Sequence, residues 1–343
     1  MTNSILERIG ELDPASGFSM DDYWVWGSSV VKGDDGKYHM FASRWSKKKP
    51  FFTTWITDSE IVHAVADSAD GTYVFSDVAL GKRGTQFWDG QSAHNPKIFR
   101  HKGKYILFYM GSTHPFEPFP DGDDADVTGK HCVVARSNKR VGVAVADSPY
   151  GPWQRFDCPI LPTKPNTFYS FLTSNPSPII HDDGSVLLMF KARAYDGDIH
   201  GRMTIGIAKA DHYLGPYRVI SSEPIFGPDK VGEIEDPSIW LDNDGYHMLA
   251  KDMGSSICGE HHAGILCHSD NGLDWRLDED PLAYSKTVQW RDGSEGVLGQ
   301  MERPFPLVED GVVTTLFFAA MDGPGGFNNG TRSWNQAVPL KKK

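Results

Sequence analysis

No apolar run in this 343-residue chain approaches the roughly 20 residues a membrane-crossing helix needs. The opening residues, MTNSILERIGELDPASG, have neither the basic nor the apolar region of a secretory leader. The expected location is therefore the cytoplasm, with the periplasm as the alternative if a leader has been removed. Positive charge is scarce: 34 Lys and Arg stand against 45 Asp and Glu, a formal charge of −11. That argues against a nucleic-acid partner, which needs clustered cations to neutralise phosphates, and the terminal LKKK is too short to reverse it. Cysteine is also sparse. Cys132, Cys158, Cys258 and Cys267 lack metal-ligand spacing and are expected to be small buried thiols. Cys258 and Cys267 are the pair that one hairpin would bring near each other.

What the chain has in quantity is aromatic residues (12%), 35 Gly and 22 Pro, a composition suited to many short strands joined by tight turns. A pattern recurs five times: SSVVKGDDGKYHMFAS from Ser28, NPKIFRHKGKYILFYM from Asn95, NPSPIIHDDGSVLLMFKAR from Asn175, DPSIWLDNDGYHMLAKD from Asp236 and RPFPLVEDGVVTTLFFAAMD from Arg303. Each copy is an apolar strand, a charged turn containing Gly and a second apolar strand, which is a hairpin signal. With Ser28, Pro96, Pro176, Pro237 and Pro304 as equivalents, the steps are 68, 80, 61 and 67 residues.

A second pattern follows in four units: IVHAVADSADGTYVF, RVGVAVADSPYGPWQRF, MTIGIAKADHYLGPYRVI and HAGILCHSDNGLDW. It adds a third strand and an aromatic start to a fourth. Repeats this long, with several strands each, predict an all-β, five-bladed β-propeller with four-stranded antiparallel blades around a central axis. The repeats fill residues 1–343 as one domain, with blades at about 22–80, 88–160, 170–225, 232–285 and 298–343. The fifth unit ends early, at SWNQAVPL, so an N-terminal segment is expected to supply its missing edge.

In a propeller the first strands begin at one mouth, so their entrances converge although they are far apart in sequence. Here they read DDYWVWGSS, FWDGQSAHNP, FLTSNP, GEIEDP and LGQMERP. Acids, amides, His and Trp in one funnel suit a sugar: aromatic rings stack on its faces while carboxylates handle hydroxyl and glycosidic oxygens. Asp22, Asp89, Asp236 and Glu302 are the candidate catalytic carboxylates. Glu235 competes with Asp236, because adjacent strand residues point to opposite faces. Trp24, Trp26 and Trp88 are candidate sugar platforms, and His94, Asn95 and Asn175 candidate substrate ligands. Arg44, Lys191, Arg193, Lys251 and Arg303 form a basic set, read either as an anion site or as structural partners of the acids. GEHHAG places Glu260, His261 and His262 near Asp236, with His261 as a further substrate ligand; neighbouring strand side chains diverge too far to chelate one metal, and no metal ligand is assigned.

WVWGSSVVKGDDGKYHMFASRW, the THP-containing second unit and ERPFPL resemble glycoside hydrolases of families 43 and 117 and related bacterial sucrase-like proteins, over nearly the whole chain. The resemblance implies glycosidic cleavage by a general base, a general acid and a third acid that tunes it. Gly27-Ser28 and Asn95-Pro96 depart from the Asp-Pro entrances of family 43, and Asp236-Pro237 alone keeps one; this favours the family-117-like branch or an unassigned neighbour of it. It implies no required cofactor, leaves an axial calcium open, and makes a homodimer an expectation. The expected function is an exo-acting glycosidase taking a terminal sugar from a short oligosaccharide. A family-130-like phosphorylase and a non-catalytic carbohydrate-binding propeller are the alternatives. The excursion THPFEPFPDGDDADVTGKHC is the expected substrate rim or oligomer contact.

Overall fold

The computed structural model describes residues 5–117, 121 and 129–342 and is a five-bladed β-propeller. Blade 1 has strands Tyr23–Lys32, Tyr38–Ser46, Glu60–Ala66 and Val74–Leu80, and blade 2 has Ser92–His101, Lys104–Ser112, Arg140–Ala146 and Gln154–Arg155. Blade 3 runs through Leu172–Ile180, Val186–Arg193, Thr204–Ala210 and Arg218–Val219. Blade 4 runs through Ile234–Asp242, Gly245–Asp252, Gly264–Ser269 and Arg276–Tyr284. Blade 5 contributes only Gln300–Glu309, Val312–Met321 and Ser333–Pro339 from its own segment. The N-terminus meets the edge this leaves. Phe18 exchanges both backbone hydrogen bonds with Asn335 at 2.8 Å, and the Gly10 N–H donates to Pro339 at 3.3 Å. A chain end is thus stitched along the other end of the polypeptide, and the exposed strand edge disappears.

The five inner strands touch in a closed cycle around the axis. Serines fasten one blade to the next: Ser29 Oγ accepts from the Ile98 N–H (2.9 Å), Ser43 from Asn95 (3.0 Å), Ser177 from Ile239 (2.7 Å) and Ser333 from Val25 (2.9 Å). These amides lie on strand edges facing a different sheet, and the hydroxyls satisfy them without interrupting the apolar packing. Hydrophobic clusters fill the spaces between blades. One joins Phe18, Val25, Tyr73, Phe305 and Phe317, and so spans the ring closure.

Each inner strand carries a β-bulge at the same place. The bulged residues Gly27, Asn95, Asn175, Asp236 and Arg303 all adopt left-handed backbone, with φ between 43° and 58°. Only the first is glycine. The other four sit where a side chain is disfavoured by roughly 1–2 kcal/mol, and the reason lies in what those side chains do on the axis.

Besides the short turns Ile5–Arg8 and Gly326–Asn328, the described residues include the helices Phe51–Asp58 in blade 1 and Lys130–Ser137 in blade 2, each between second and third strands. They meet over Ile56, Cys132 and Ala135. A two-strand hairpin, Tyr195–Asp196 with Ile199–His200, occupies the same connection in blade 3. None of the four cysteines is in a disulfide. Cys132 and Cys267 are buried, but Cys158 is exposed and Cys258 only half-buried, so the expectation of buried thiols holds for two of the four.

Because Phe18 is 3% exposed and bridges the two chain ends, Phe18→Ala is expected to lower unfolding free energy by about 3–5 kcal/mol. Urea unfolding of the variant and the parent measures this. A loss below about 1 kcal/mol would mean that the N-terminal segment does not hold the ring.

Candidate functional site

The bulge turns two adjacent side chains in different directions, and this creates two concentric sites. The residue ahead of it, Trp26, His94, Glu235 or Glu302, faces an open cavity of about 340 Å³ at one mouth. Blade 3 has Ser174 there, which does not reach the cavity. The bulged residue itself faces the axis and, with Lys97 and the prolines that follow, encloses a separate space of about 20 Å³.

On the axis, Asn95 Nδ2 donates to Asn175 Oδ1 (3.0 Å), and Asn175 Nδ2 donates to Asp236 Oδ1 (2.7 Å). Arg303 Nη1 reaches the same oxygen at 2.6 Å. Burial pushes the Asp236 carboxyl above its usual pKa against the pull of Arg303, with Glu235 adding to the rise. Burial likewise lowers Lys97 to about 7. This ring offers a divalent cation one carboxylate, faced by a guanidinium and a lysine. The donor set does not fit the axial calcium left open by the sequence. Among the described residues, no group of three or more His, Cys, Asp or Glu converges as a metal site.

The cavity floor comes from the inner strands and from the ends of the second strands, which return Trp45, Lys191, Arg193 and Lys251 to the mouth. Its walls are the connections that follow. Phe51, Phe52 and Trp55 come from the blade 1 helix, and Arg136 and Lys139 from the blade 2 helix and the residues after it. His200 and Met203 come from blade 3, Met253 and His262 from blade 4, and Phe327 from blade 5.

Two carboxylates face this cavity, and Lys251 holds both. Its Nζ lies 2.8 Å from Glu302 Oε1 and 3.1 Å from Glu235 Oε2. Laid end to end those distances put the two oxygens no more than 5.9 Å apart, near enough to act on one bond. Lys191 also ion-pairs with Glu235. Burial works to raise the Glu235 pKa, but Lys191, Lys251 and Arg303 together override it and hold the group well below the usual range. Lys251 is pushed up in turn: burial opposes its charge, yet Glu302, Glu235 and Asp236 outweigh burial.

The cavity histidines are neutral. Burial lowers His94 well below its ordinary value, with Arg303 and Lys139 adding to it, and lowers His262 to about 4. His94 Nδ1 shares a 2.8 Å hydrogen bond with Ser59 Oγ, while its buried Nε2 has no partner among the described residues.

The structure gathers Trp26, His94, Lys191, Arg193, Glu235, Glu302 and Arg303 at the cavity. It removes others. Asp22 is exposed ahead of the first strand and does not line the cavity. Asp89 is 1% exposed and enclosed in blade 2 by Arg83 (2.6 Å), Arg155 (2.5 Å) and the Tyr109 hydroxyl (2.6 Å), so its charge is consumed structurally. Trp88 packs beside it on Tyr109 and donates to the Phe156 carbonyl. Asp236, Asn95 and Asn175 belong to the axial ring. Trp24 and His261 fall in an adjoining recess that shares the Phe51, Phe52, His262 and Phe327 walls. In GEHHAG it is His262, at φ 61°, that turns inward. Arg44 pairs with Glu60 at 2.8 Å, and Glu260 accepts from Ser285.

Sequence reasoning missed Trp45, the three aromatics of FFTTWITD, and Arg136, Lys139 and His200. The signal for FFTTWITD was present: the gap between second and third strands is longer than a turn needs, and Phe51/Trp55 stand four apart as on one helical face. In the excursion THPFEPFPDGDDADVTGKHC, residues 118–120 and 122–128 lie outside the described residues.

With this geometry in hand, known structures give a consistent comparison. Zg3597, a family 117 glycoside hydrolase from Zobellia galactanivorans, superposes with TM-score 0.70 at 18% identity, over 97% of this chain and 89% of its own. A thermostable family-43 glycoside hydrolase gives 0.61 at 13%, over 97% and 96%. CoXyl43, a GH43 β-xylosidase/α-arabinofuranosidase from a compost microbial metagenome, gives 0.59 at 16%, over 98% and 96%. The likeness is one of fold. No protein-family model matches the sequence, and no curated protein does.

The neutral histidines make stability depend on pH. The unfolded chain takes up protons near pH 6.5, whereas folded His94, His262, His200 and His63 resist them. Their contribution is complete above pH 6.5 and is lost as pH falls toward the lower folded values, about 4 for His262. Fully buried His94 alone gives a slope approaching ~1.4 kcal/mol per pH unit in that interval. Asp236, with its raised pKa, acts in the opposite sense as a single group. Urea midpoints at pH 7.5, 6.5 and 5.5 are expected to fall in that order; a flat or rising series would contradict the assignment.

Proposed function

We propose that this protein is a glycoside hydrolase that removes a terminal sugar at the propeller mouth. The observation that carries the reading is the pair Glu235 and Glu302, held on one lysine at the floor of a cavity walled by Trp26, Trp45, Phe51, Trp55 and Phe327. Aromatic faces suit the C–H faces of a sugar ring, and paired carboxylates are what glycosidic cleavage requires. The fold neighbours, which include a family 117 glycoside hydrolase and a β-xylosidase/α-arabinofuranosidase, support this chemistry. A volume at the small end of ligand pockets, about 300–1,000 Å³, favours an exo mode, with the rest of a short oligosaccharide extending over the adjoining recess.

Within this reading Glu235 stays anionic, as the base or as the group that stabilises positive charge on the sugar. Glu302, tied among the described residues by Lys251 alone, is the carboxylate that exchanges a proton with the glycosidic oxygen. Asp236 is a positioning residue: it fixes Arg303 beside both glutamates.

The test is product release from short plant and algal oligosaccharides and aryl glycosides, with and without phosphate. Glu302→Gln is expected to lower kcat by about 10²–10⁴-fold, and the loss should shrink on aryl glycosides whose leaving group needs no proton. Glu235→Gln should lose activity on both substrate types. Asp236→Asn should cost less than either. Release that requires phosphate would replace hydrolysis with phosphorolysis; full activity in both glutamine variants would overturn the site.

A further inference from the structure

The cavity holds more positive charge than its carboxylates use. Lys191, Lys251 and Arg303 are matched to Glu235, Glu302 and Asp236. Arg136, Lys139 and Arg193 line the same cavity and have no carboxylate partner among the described residues. Lys139 is the extreme case. It is 2% exposed, its one close partner among the described residues is the Trp55 ring, with Nζ 4.1 Å from the centroid, and burial depresses its pKa strongly, with Lys191, Arg136 and Arg303 adding to it. Burial also lowers both arginines.

His200 organises the group. Its Nδ1 accepts from Arg193 Nη1 (2.8 Å), and its Nε2 lies 3.3 Å from Arg136 Nη1. The same Arg193 Nη1 also donates to the Gly201 carbonyl. A neutral imidazole and a carbonyl thus orient two guanidinium groups without cancelling their charge. Burying unpaired cations is unfavourable, and a built cluster of them is what an anion-binding subsite needs before its ligand arrives. The charge is also one-sided. The wall from blades 2 and 3 is cationic, whereas blade 1 and Phe327 supply the aromatic rings.

We infer that Arg136, Lys139 and Arg193 form a subsite for an oxyanion carried by the substrate, so that the sugar bound at the mouth is an acidic one, with its carboxylate on this wall and its ring against the aromatic side. The inference rests on the proposed glycosidase for its saccharide, but binding reads it without turnover, so a failure of hydrolysis does not decide it. Free inorganic phosphate is the other source of the same chemistry.

The experiment is calorimetric titration of the full-length protein at pH 7 with D-galacturonate, D-glucuronate, D-galactose, D-glucose and inorganic phosphate. At least one acidic sugar is expected to bind tenfold or more tightly than its neutral counterpart, with the advantage falling as salt rises. Arg136→Ala and Lys139→Met should each remove most of that advantage. Phosphate competing with the acidic sugar would support the subsite; phosphate binding while no acidic sugar binds at millimolar concentrations would overturn the acidic-sugar assignment. Equal binding of acidic and neutral sugars, or an advantage that survives both substitutions, would also overturn it. Lys139→Met has a second readout: an unpaired buried charge is removed, so the unliganded Tm should hold or rise. A fall of many degrees would assign Lys139 to structure and overturn its place in the subsite.

Discussion

The five-fold bulge of the inner strands is the constraint on which the site depends. A regular strand alternates its side chains between two faces, and in a propeller that would send successive residues into the two neighbouring inter-blade spaces. One extra residue in left-handed backbone breaks the alternation. The side chain ahead of the bulge rises into the mouth, and the bulged one points down the axis. Catalytic candidates and axial ring are therefore consecutive residues: Glu235 and Asp236 in blade 4, Glu302 and Arg303 in blade 5. The strain at four non-glycine positions is offset by the contacts Asn95–Asn175, Asn175–Asp236 and Asp236–Arg303, which form because these side chains meet on the axis.

This coupling also explains the electrostatics. Arg303 belongs to both sites, anchored to Asp236 below and acting on Glu235 and Glu302 above. An ionised carboxylate in a buried floor needs such a partner, and the floor supplies it through a residue whose position the ring dictates. Asp236 cannot simultaneously serve as the group that touches substrate. Its Oδ1 is taken by Asn175 and Arg303, and Asp236 does not line the mouth cavity.

How much of this was legible in the sequence follows from what repetition encodes. The hairpin pattern marks all five blades, because each copy must present the same apolar faces to its neighbours. Entrance positions were legible for the same reason, which is why Trp26, His94, Glu235, Glu302 and Arg303, named from the sequence, line the cavity. The pattern does not say which of two adjacent entrance residues meets substrate, since that depends on a bulge with no residue signature of its own: Gly, Asn, Asn, Asp and Arg occupy it. Asp89 was misread because nothing local tells that Arg83, Arg155 and Tyr109 close around it from three different elements.

The walls were the least legible part, and the reason is the same one reversed. Repeats constrain blades, not the connections between second and third strands, and each blade fills that connection differently: two helices, a hairpin, a loop and a short turn of helix. The cavity walls are built there. The floor, fixed by the ring, presents two glutamates and their matched cations; the walls add aromatics on one side and three unmatched cations on the other. In this arrangement the two floor glutamates are tied to the architecture of the propeller, while the wall residues sit on segments free to change without disturbing it. A shared fold at below 20% identity is then compatible with a different sugar.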